Sequence, residues 1–91
     1  MEFLCNREKN RFELHTEGHI AYIEYILKDG NTISLLHTIF PKELGGKGIG
    51  TILVQKTLEH IKEAGNKFIP VCSFVSSYVE KNPEWKAYLA G

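Results

Sequence analysis

Four glycines within six residues constrain the fold of this chain more than any other feature of its sequence. They occupy positions 45, 46, 48 and 50, between an extended apolar run and an amphipathic segment. Glycine has no Cβ, so it accepts positive φ angles and lets another molecule approach the backbone closely. A loop of this kind that opens a helix presents unpaired N–H groups at the positive end of the helix dipole. The pattern is typical of a site for a phosphate or pyrophosphate.

Three extended segments precede this loop and predict an antiparallel meander. Residues 12–15 alternate apolar and polar side chains, and residues 20–27 and 32–40 are rich in β-branched and aromatic residues. An Asp-Gly pair at 29–30 is a strong signal for a hairpin turn between the second and third strands. Pro41 then ends the third strand, because proline cannot donate to a strand ladder.

Apolar residues after the loop recur at helical spacing and predict a helix from Ile49 to about Ala64, with Gly65 as its stop. Residues 68–72 follow as a short buried strand, in which Pro70 predicts a sheet edge or a gap in the ladder. A strand–helix–strand order implies a parallel crossover.

The last part of the chain predicts two further helices. Ser73 is a candidate N-cap for a helix that runs to about Lys81, and Asn82-Pro83 predicts the start of a final short helix. The sequence therefore predicts an α+β (α/β) fold, in which an antiparallel meander is followed by a strand–helix–strand crossover.

Length and composition restrict the class of protein. Ninety-one residues with 43% hydrophobic content predict one folded domain spanning residues 1–91. The net charge is zero with histidine neutral, which lacks the basic surface that nucleic-acid binding needs. The sequence has two cysteines without a CxxC motif, and it shows neither a signal-peptide pattern nor an apolar run of membrane length. These features predict a cytoplasmic protein with no membrane partner.

The glycine loop does not fit the two best-known phosphate motifs. In a Walker motif Ser or Thr follows Gly-Lys, but here Ile49 and Gly50 follow it. The spacing of a dinucleotide-binding fingerprint is also absent. One or two glycines before a helix would merely turn the chain, whereas four in six residues favour a ligand site. A nucleotide-phosphate binder of another kind stays open as a weaker reading.

The order of several motifs resembles the GNAT acetyltransferases, whose motif A is usually written Arg/Gln-x-x-Gly-x-Gly/Ala. The similarity is closer to the small single-domain GNAT-like subfamily and extends from about Phe12 to Leu89. The residues that carry it are Leu36-His37-Thr38, Pro41, Gly46 through Gly50, Pro70-Val71-Cys72, Tyr78-Val79 and Lys81-Asn82-Pro83. One departure is Gly45, which stands where the motif has Arg or Gln, so any cofactor contact there relies on the backbone.

The resemblance implies a minimal GNAT-like acyl-CoA N-acyltransferase fold with acetyl-CoA, or coenzyme A, as the cofactor. Its pyrophosphate would lie over the N–H groups at the start of the helix, and the backbone near the end of the preceding strand would hold the pantetheine arm. The implied cofactor-binding residues are Ile39, Phe40, Gly46, Lys47, Gly48, Ile49, Gly50 and Thr51.

Three residues are candidates for the chemistry. Cys72 lies ahead of a helix N-terminus, where the dipole favours a thiolate, and a nearby His37 would act as its base. The resemblance implies the same His and Cys as an active-site pair, and Tyr78 as the acid that protonates the CoA sulfur. Each has a structural alternative: a small buried cysteine, a strand histidine bonded to a carbonyl, and a tyrosine ring packed in the core.

The leading hypothesis is an acetyl-CoA-dependent N-acetyltransferase that acts on an unidentified small-molecule or peptide amine, by direct attack or through acetyl-Cys72. A non-catalytic CoA-binding or regulatory module is the alternative, because the chain is short for an acceptor pocket. His15 and His19 have no CxxC partner, so no metal site is predicted. Cys5 lies near the chain terminus and is assigned no role. The sequence leaves the oligomeric state open.

Overall fold

A computed structural model describes residues 1–90 as a five-stranded sheet with helices packed on one face. The strands are β1 (Glu2–Asn6), β2 (Arg11–Thr16), β3 (His19–Lys28), β4 (Thr32–Ile39) and β5 (Lys67–Pro70). The α-helices are α1 (Ile49–Glu63) and α2 (Ser73–Lys81), and 3₁₀ helices cover Lys42–Leu44 and Pro83–Tyr88. No helix among these residues is long and apolar enough to cross a membrane.

The strands lie in the sheet in the order of the chain, from β1 to β5. Strands β1 to β4 pair antiparallel, and α1 then carries the chain over the sheet so that β5 pairs parallel with β4. The predicted meander followed by a strand–helix–strand crossover is therefore confirmed. The edge position of β5 also accommodates Pro70, which donates no ladder hydrogen bond.

Side chains on one face of the sheet and one stripe of α1 form the core. The fully buried positions are spaced by two residues in the strands and by three or four in the helix, as each element's geometry requires. The apolar ones are Phe12, Leu14, Ala21, Ile23, Leu35 and Phe68 in the sheet and Leu53, Val54, Leu58 and Ile61 in α1. The other face of the sheet has no covering helix among residues 1–90.

A β-bulge in β4 changes which side chains face the core. Tyr25 pairs with Leu35, but Glu24 pairs with His37, so Leu36 is an extra residue in β4. Thr38 pairs with the buried Ile23 and consequently faces the helices. Strict alternation would instead put His37 on that face.

The structure differs from the expectations at β1, at the end of β5 and at the cap of α2. The first residues form β1, which pairs with β2 and packs Phe3 and Cys5 against the core, although no strand was predicted there. Strand β5 ends at Pro70, so Cys72 is not a strand residue. It is the N-cap of α2, and Ser73 is the first helical residue instead of the cap.

Candidate functional site

The glycine loop presents a row of free N–H groups at the start of α1. Gly46 and Gly48 have φ angles of +76° and +70°, which glycine adopts without strain, and Gly48 is the N-cap of α1. The first helical hydrogen bond runs from the Ile52 N–H to the Gly48 carbonyl at 3.1 Å. Within residues 1–90, the N–H groups of residues 46–51 donate to no backbone carbonyl. This row of donors at the positive end of α1 suits a polyanion such as a pyrophosphate.

Gly50 has a packing role that distinguishes it from the other loop glycines. A Cβ added at Gly50 would lie 2.7 Å from Cζ of Phe74 and 3.4 Å from Cε2 of Phe40. A Cβ added at Gly46 or Gly48 would meet nothing within 4 Å. Gly50 therefore makes room for the ring of Phe74, whereas Gly46 and Gly48 supply backbone conformation. A contact of Gly50 with the cofactor stays a prediction that rests on its N–H.

Lys47 in the loop is paired with an acidic residue from a distant turn. Its Nζ lies 2.5 Å from Oε1 of Glu17 in the β2–β3 turn, and both side chains are 48% exposed. Because the pair is open to solvent, it contributes little stability and exchanges easily. Lys47 would have to leave Glu17 before its ammonium group could bind a phosphate.

A gap opens between β4 and β5 next to the loop. The two strands pair only as far as Leu35 and Pro70, and the Cys72 N–H closes the ladder with a 2.9 Å hydrogen bond to the Leu35 carbonyl. Beyond this point β4 continues through Ile39 with no partner on that side among residues 1–90. Ile39 is 44% exposed and the following Phe40 is half-buried against the core. The unpaired edge of β4 can bind an extended ligand through its backbone.

Cys72 lies at this gap, and its environment favours the thiolate. Its Sγ is 3.1 Å from Oγ1 of Thr38, on the core side of β4. Burial raises the pKa of Cys72, but the Thr38 hydroxyl and the N–H groups of Val75, Phe74 and Thr38 stabilise the negative charge and leave the pKa below its ordinary value. A half-buried thiol with a lowered pKa has the properties of a nucleophile.

His37 does not contact Cys72, contrary to the expected geometry. It is exposed and pairs with Glu24 on the open face of the sheet, whereas Thr38 faces Cys72. Among residues 1–90 the side-chain partner of the thiol is Thr38. The bulge at Leu36 causes this difference, because it shifts the alternation of β4 by one residue. A catalytic role of His37 stays a prediction, and any such role would act from the open face.

Tyr78 lines a groove between α1 and α2, close to the glycine loop. The groove has a volume of about 190 Å³ and also includes Thr51, Phe74, Lys81 and Asn82. Burial raises the pKa of Tyr78. A hydrogen bond with Trp85 opposes this and the charges of Glu84 and Glu59 add to it, so the pKa stays raised and the hydroxyl is protonated at neutral pH. Lys81 puts a positive charge on the rim of this groove. Lys81 belongs to the Lys81-Asn82-Pro83 segment that carries the family resemblance, but the sequence did not predict a binding role for it.

The sequence predicts no metal site at His15 and His19, and in the structure His15 binds a buried carboxylate. His15 Nε2 is 2.8 Å from Oε1 of the buried Glu13, which Arg11 also binds. Within residues 1–90 no three His, Cys, Asp or Glu side chains are grouped as a metal site. The features that converge near the end of β4 are thus the loop, the open strand edge and the Cys72 thiol.

The comparison with protein families agrees with this arrangement. The family model described as GCN5-related N-acetyl-transferase matches residues 11–89 of this chain. The chain belongs to the GCN5-related N-acetyltransferase family. This membership supports a general acyltransferase role and confirms the family resemblance of the sequence.

A solved structure is also similar to this GCN5-related chain. It is the solution NMR structure of a GCN5-like protein from Staphylococcus aureus, proposed to be an N-acetyltransferase. The two sequences are 32% identical and the structures align with a TM-score of 0.73, over 99% of this chain and 88% of the other. The comparison with curated proteins gives no match.

Proposed function

We propose that this GCN5-related N-acetyltransferase binds acetyl-CoA and transfers its acetyl group to an amine. The observation that carries the proposal is the row of free N–H groups at residues 46–51, beside an unpaired strand edge that leads to a thiol. An acyl-CoA has three parts that match these features in the same order. They are an anionic pyrophosphate for the N–H groups, an extended amide-containing arm for the strand edge and a thioester beside the thiol.

The pyrophosphate would accept hydrogen bonds from the N–H groups of Gly46, Gly48 and Thr51, at the positive end of α1. Lys47 would add a positive charge once it leaves Glu17. The backbone of Ile39 and Phe40 would bond the amides of the pantetheine arm, as a strand binds an added strand. Lys81, on the rim of the groove beside Thr51, is suited to a further phosphate at the nucleotide end.

The chemistry can follow two routes. In direct transfer the amine nitrogen attacks the acetyl carbon, the carbon–sulfur bond breaks, and the CoA thiolate takes up a proton as the amine loses one. In a relay, the Cys72 thiolate attacks first and releases the CoA thiolate, and the amine then displaces Cys72 from its acetyl thioester. The lowered pKa of Cys72 supports the relay. Tyr78 is the candidate proton donor to the CoA thiolate, and His37 is the candidate acceptor of the amine proton.

CoA release from acetyl-CoA over a panel of amines, peptides and polyamines tests this function. Mass spectrometry of the same reactions separates the routes, and Cys5→Ala is the matched control for Cys72→Ala. We expect an acetyl adduct on Cys72 that is absent in Cys72→Ala and retained in Cys5→Ala. Turnover without an adduct would show direct attack, and full transfer by both Cys72→Ala and His37→Ala would exclude the assigned catalytic residues.

A second function, a non-catalytic CoA-binding module, is favoured by one observation. The face of the sheet opposite α1 has no covering element among residues 1–90, and it exposes 39% of Ile20 and 47% of Ile26. An acceptor pocket would therefore have to be shallow or completed by another molecule. Tight CoA binding without CoA release from acetyl-CoA across the panel would support this module over the enzyme.

A further inference from the structure

A cavity of about 350 Å³ lies at the end of the molecule away from the glycine loop. It is bounded by the carboxyl end of α1, the turn after β1 and the turn between β3 and β4. Its volume falls at the lower end of the range for small-molecule sites. None of the residues discussed for acetyl transfer lines it.

The inner walls of the cavity are apolar and well fixed. Phe12 is 1% exposed and Ile33 is 6% exposed, so both are held by the core. The rings of Phe12 and Tyr25 lie 4.6 Å apart between centroids at a tilt of 34°. A flat apolar or aromatic group of a ligand could pack against these rings.

Tyr25 contributes a hydrogen-bond donor that is poorly used within the protein. Its side chain is only 9% exposed, and its hydroxyl has one side-chain partner among residues 1–90, the Cys5 thiol at 3.6 Å. A thiol is a weak hydrogen-bond partner, so this contact does not replace the lost water. Burial, together with Cys5, raises the pKa of Tyr25 to about 12, and the hydroxyl therefore stays a donor.

The charge of the lining favours an anion. Among the described residues that line the cavity, Arg7 is the only one with a permanent charge, and none is acidic. The carboxyl end of α1 also reaches the cavity, but the carbonyls of His60, Ile61 and Lys62 are capped by following N–H groups. These bonds reduce the negative potential that the helix end would otherwise present.

We propose that this cavity is a second ligand site, for a small carboxylate that carries one aromatic or similarly flat apolar group. The guanidinium group of Arg7 and the hydroxyl of Tyr25 bind the carboxylate, and the apolar part packs on Phe12 and Ile33. Arg7 is exposed and can approach the mouth of the cavity, while Tyr25 is fixed at its wall.

This site is separate from the proposed cofactor site. The glycine loop lies at the first turn of α1 and the cavity at the last turn, and a helix of 15 residues is about 22 Å long. Both ligands can therefore be bound at once. The two cysteines report on the two sites independently, because Cys5 lines the cavity and Cys72 lies at the gap between β4 and β5.

Phenylacetate is a suitable probe, with the uncharged phenylacetamide as its isosteric control. We expect saturable amide shifts at Cys5, Tyr25 and Asn66, and a Kd of about 1 mM, which is the scale for a ligand of this size. Phenylacetate should slow alkylation of Cys5 and leave Cys72 unchanged. Coenzyme A should slow alkylation of Cys72 and leave Cys5 unchanged. The absence of ligand binding at one site would therefore be detected independently of the other site.

Variants test the two polar contacts. Arg7→Gln should weaken phenylacetate binding about fivefold, since Arg7 is exposed and an exposed charge pair contributes no more than this. Lys9→Gln removes a charge from the same turn without touching the cavity, and should leave binding unchanged. Tyr25→Phe, which keeps the ring, should weaken binding about fivefold. Equal binding of phenylacetate and phenylacetamide, equal effects of Arg7→Gln and Lys9→Gln, or no saturable shifts would each overturn the proposal.

Discussion

The Oγ1 atom of Thr38 lies 3.1 Å from the Sγ atom of Cys72, across the gap where β4 and β5 separate. This contact joins the core face of β4 to the N-cap of α2. It supplies a hydrogen bond to the thiolate just beside the strand edge that we propose for the pantetheine arm. The reactivity of Cys72 therefore depends on Thr38 more directly than on His37.

Thr38→Val removes the hydroxyl while keeping the shape of the side chain. Because the hydroxyl stabilises the thiolate, its loss should raise the pKa of Cys72 from its lowered value. The rate of alkylation of Cys72 against pH, read by mass spectrometry, should shift to higher pH and fall at neutral pH. Thr32→Val, the same change earlier in β4, is the control and should leave the profile unchanged.

His37→Ala distinguishes an active site in which His37 contacts Cys72 from one in which His37 lies on the open face of the sheet. Since His37 lies on the open face, we expect its loss to leave the alkylation profile of Cys72 unchanged while it slows transfer to an amine. A shift of the Cys72 profile like that of Thr38→Val would contradict the arrangement of β4 around the bulge.

Gly48→Ala should weaken coenzyme A binding by disturbing the row of N–H donors. Alanine at a φ of +70° is strained by about 1 kcal/mol or more, and the loop must relax. Gly65→Ala is a matched control, because Gly65 has a φ of +75° at the other end of α1. Calorimetric titration should show weaker binding for Gly48→Ala alone, although both variants lose stability. Equal affinities of the two variants for coenzyme A would show that binding does not depend on the conformation of the loop at Gly48.

Glu17→Gln should strengthen coenzyme A binding slightly, because it frees Lys47. The gain is limited to about fivefold, since an exposed ion pair contributes at most ~1 kcal/mol. Glu43→Gln removes the same charge near the loop without a contact to Lys47 and controls for the general effect of charge. If both variants changed the affinity equally, the pairing of Glu17 with Lys47 would have no specific effect.

Glu13 links stability to pH. Its buried carboxylate suffers from desolvation, but hydrogen bonds from His15, Arg11 and Asn6 outweigh this and lower its pKa. The carboxylate therefore stabilises the fold above the ordinary glutamate pKa, and this contribution is lost as pH falls through the lowered value. Glu13→Gln should cost roughly 1–3 kcal/mol at neutral pH. The loss in free energy of unfolding, measured by urea denaturation, should be smaller at acid pH. Glu2→Gln is the control and should have little effect at either pH.

The sequence predicted those parts of the fold that depend on local chemistry. Asp29 and Gly30 do form the turn between β3 and β4, and Gly65 follows the end of α1 with a positive φ. Strand β1 was missed because it is only five residues long and its apolar residues 3–5 are consecutive, without the alternation that marks a half-buried strand. Pairing with β2 and packing of Phe3 and Cys5 on the core stabilise it.

The candidate site was harder to predict than the fold. The glycine loop and Cys72 could be found from spacing and from the family resemblance. The partner of Cys72 could not, because a single extra residue at Leu36 decides whether His37 or Thr38 faces the thiol. A bulge depends on how β4 meets β3 and leaves no pattern in β4 alone.

Titration of isotope-labelled protein with coenzyme A, followed by backbone amide shifts, tests the central claim most directly. We expect saturable shifts that are largest at the N–H groups of residues 46–51, with smaller shifts at Ile39 and Phe40. Cys5 and Asn66, at the opposite end of α1, should not move. An unchanged loop at about 1 mM coenzyme A, or shifts confined to another surface, would contradict binding of the cofactor at the start of α1.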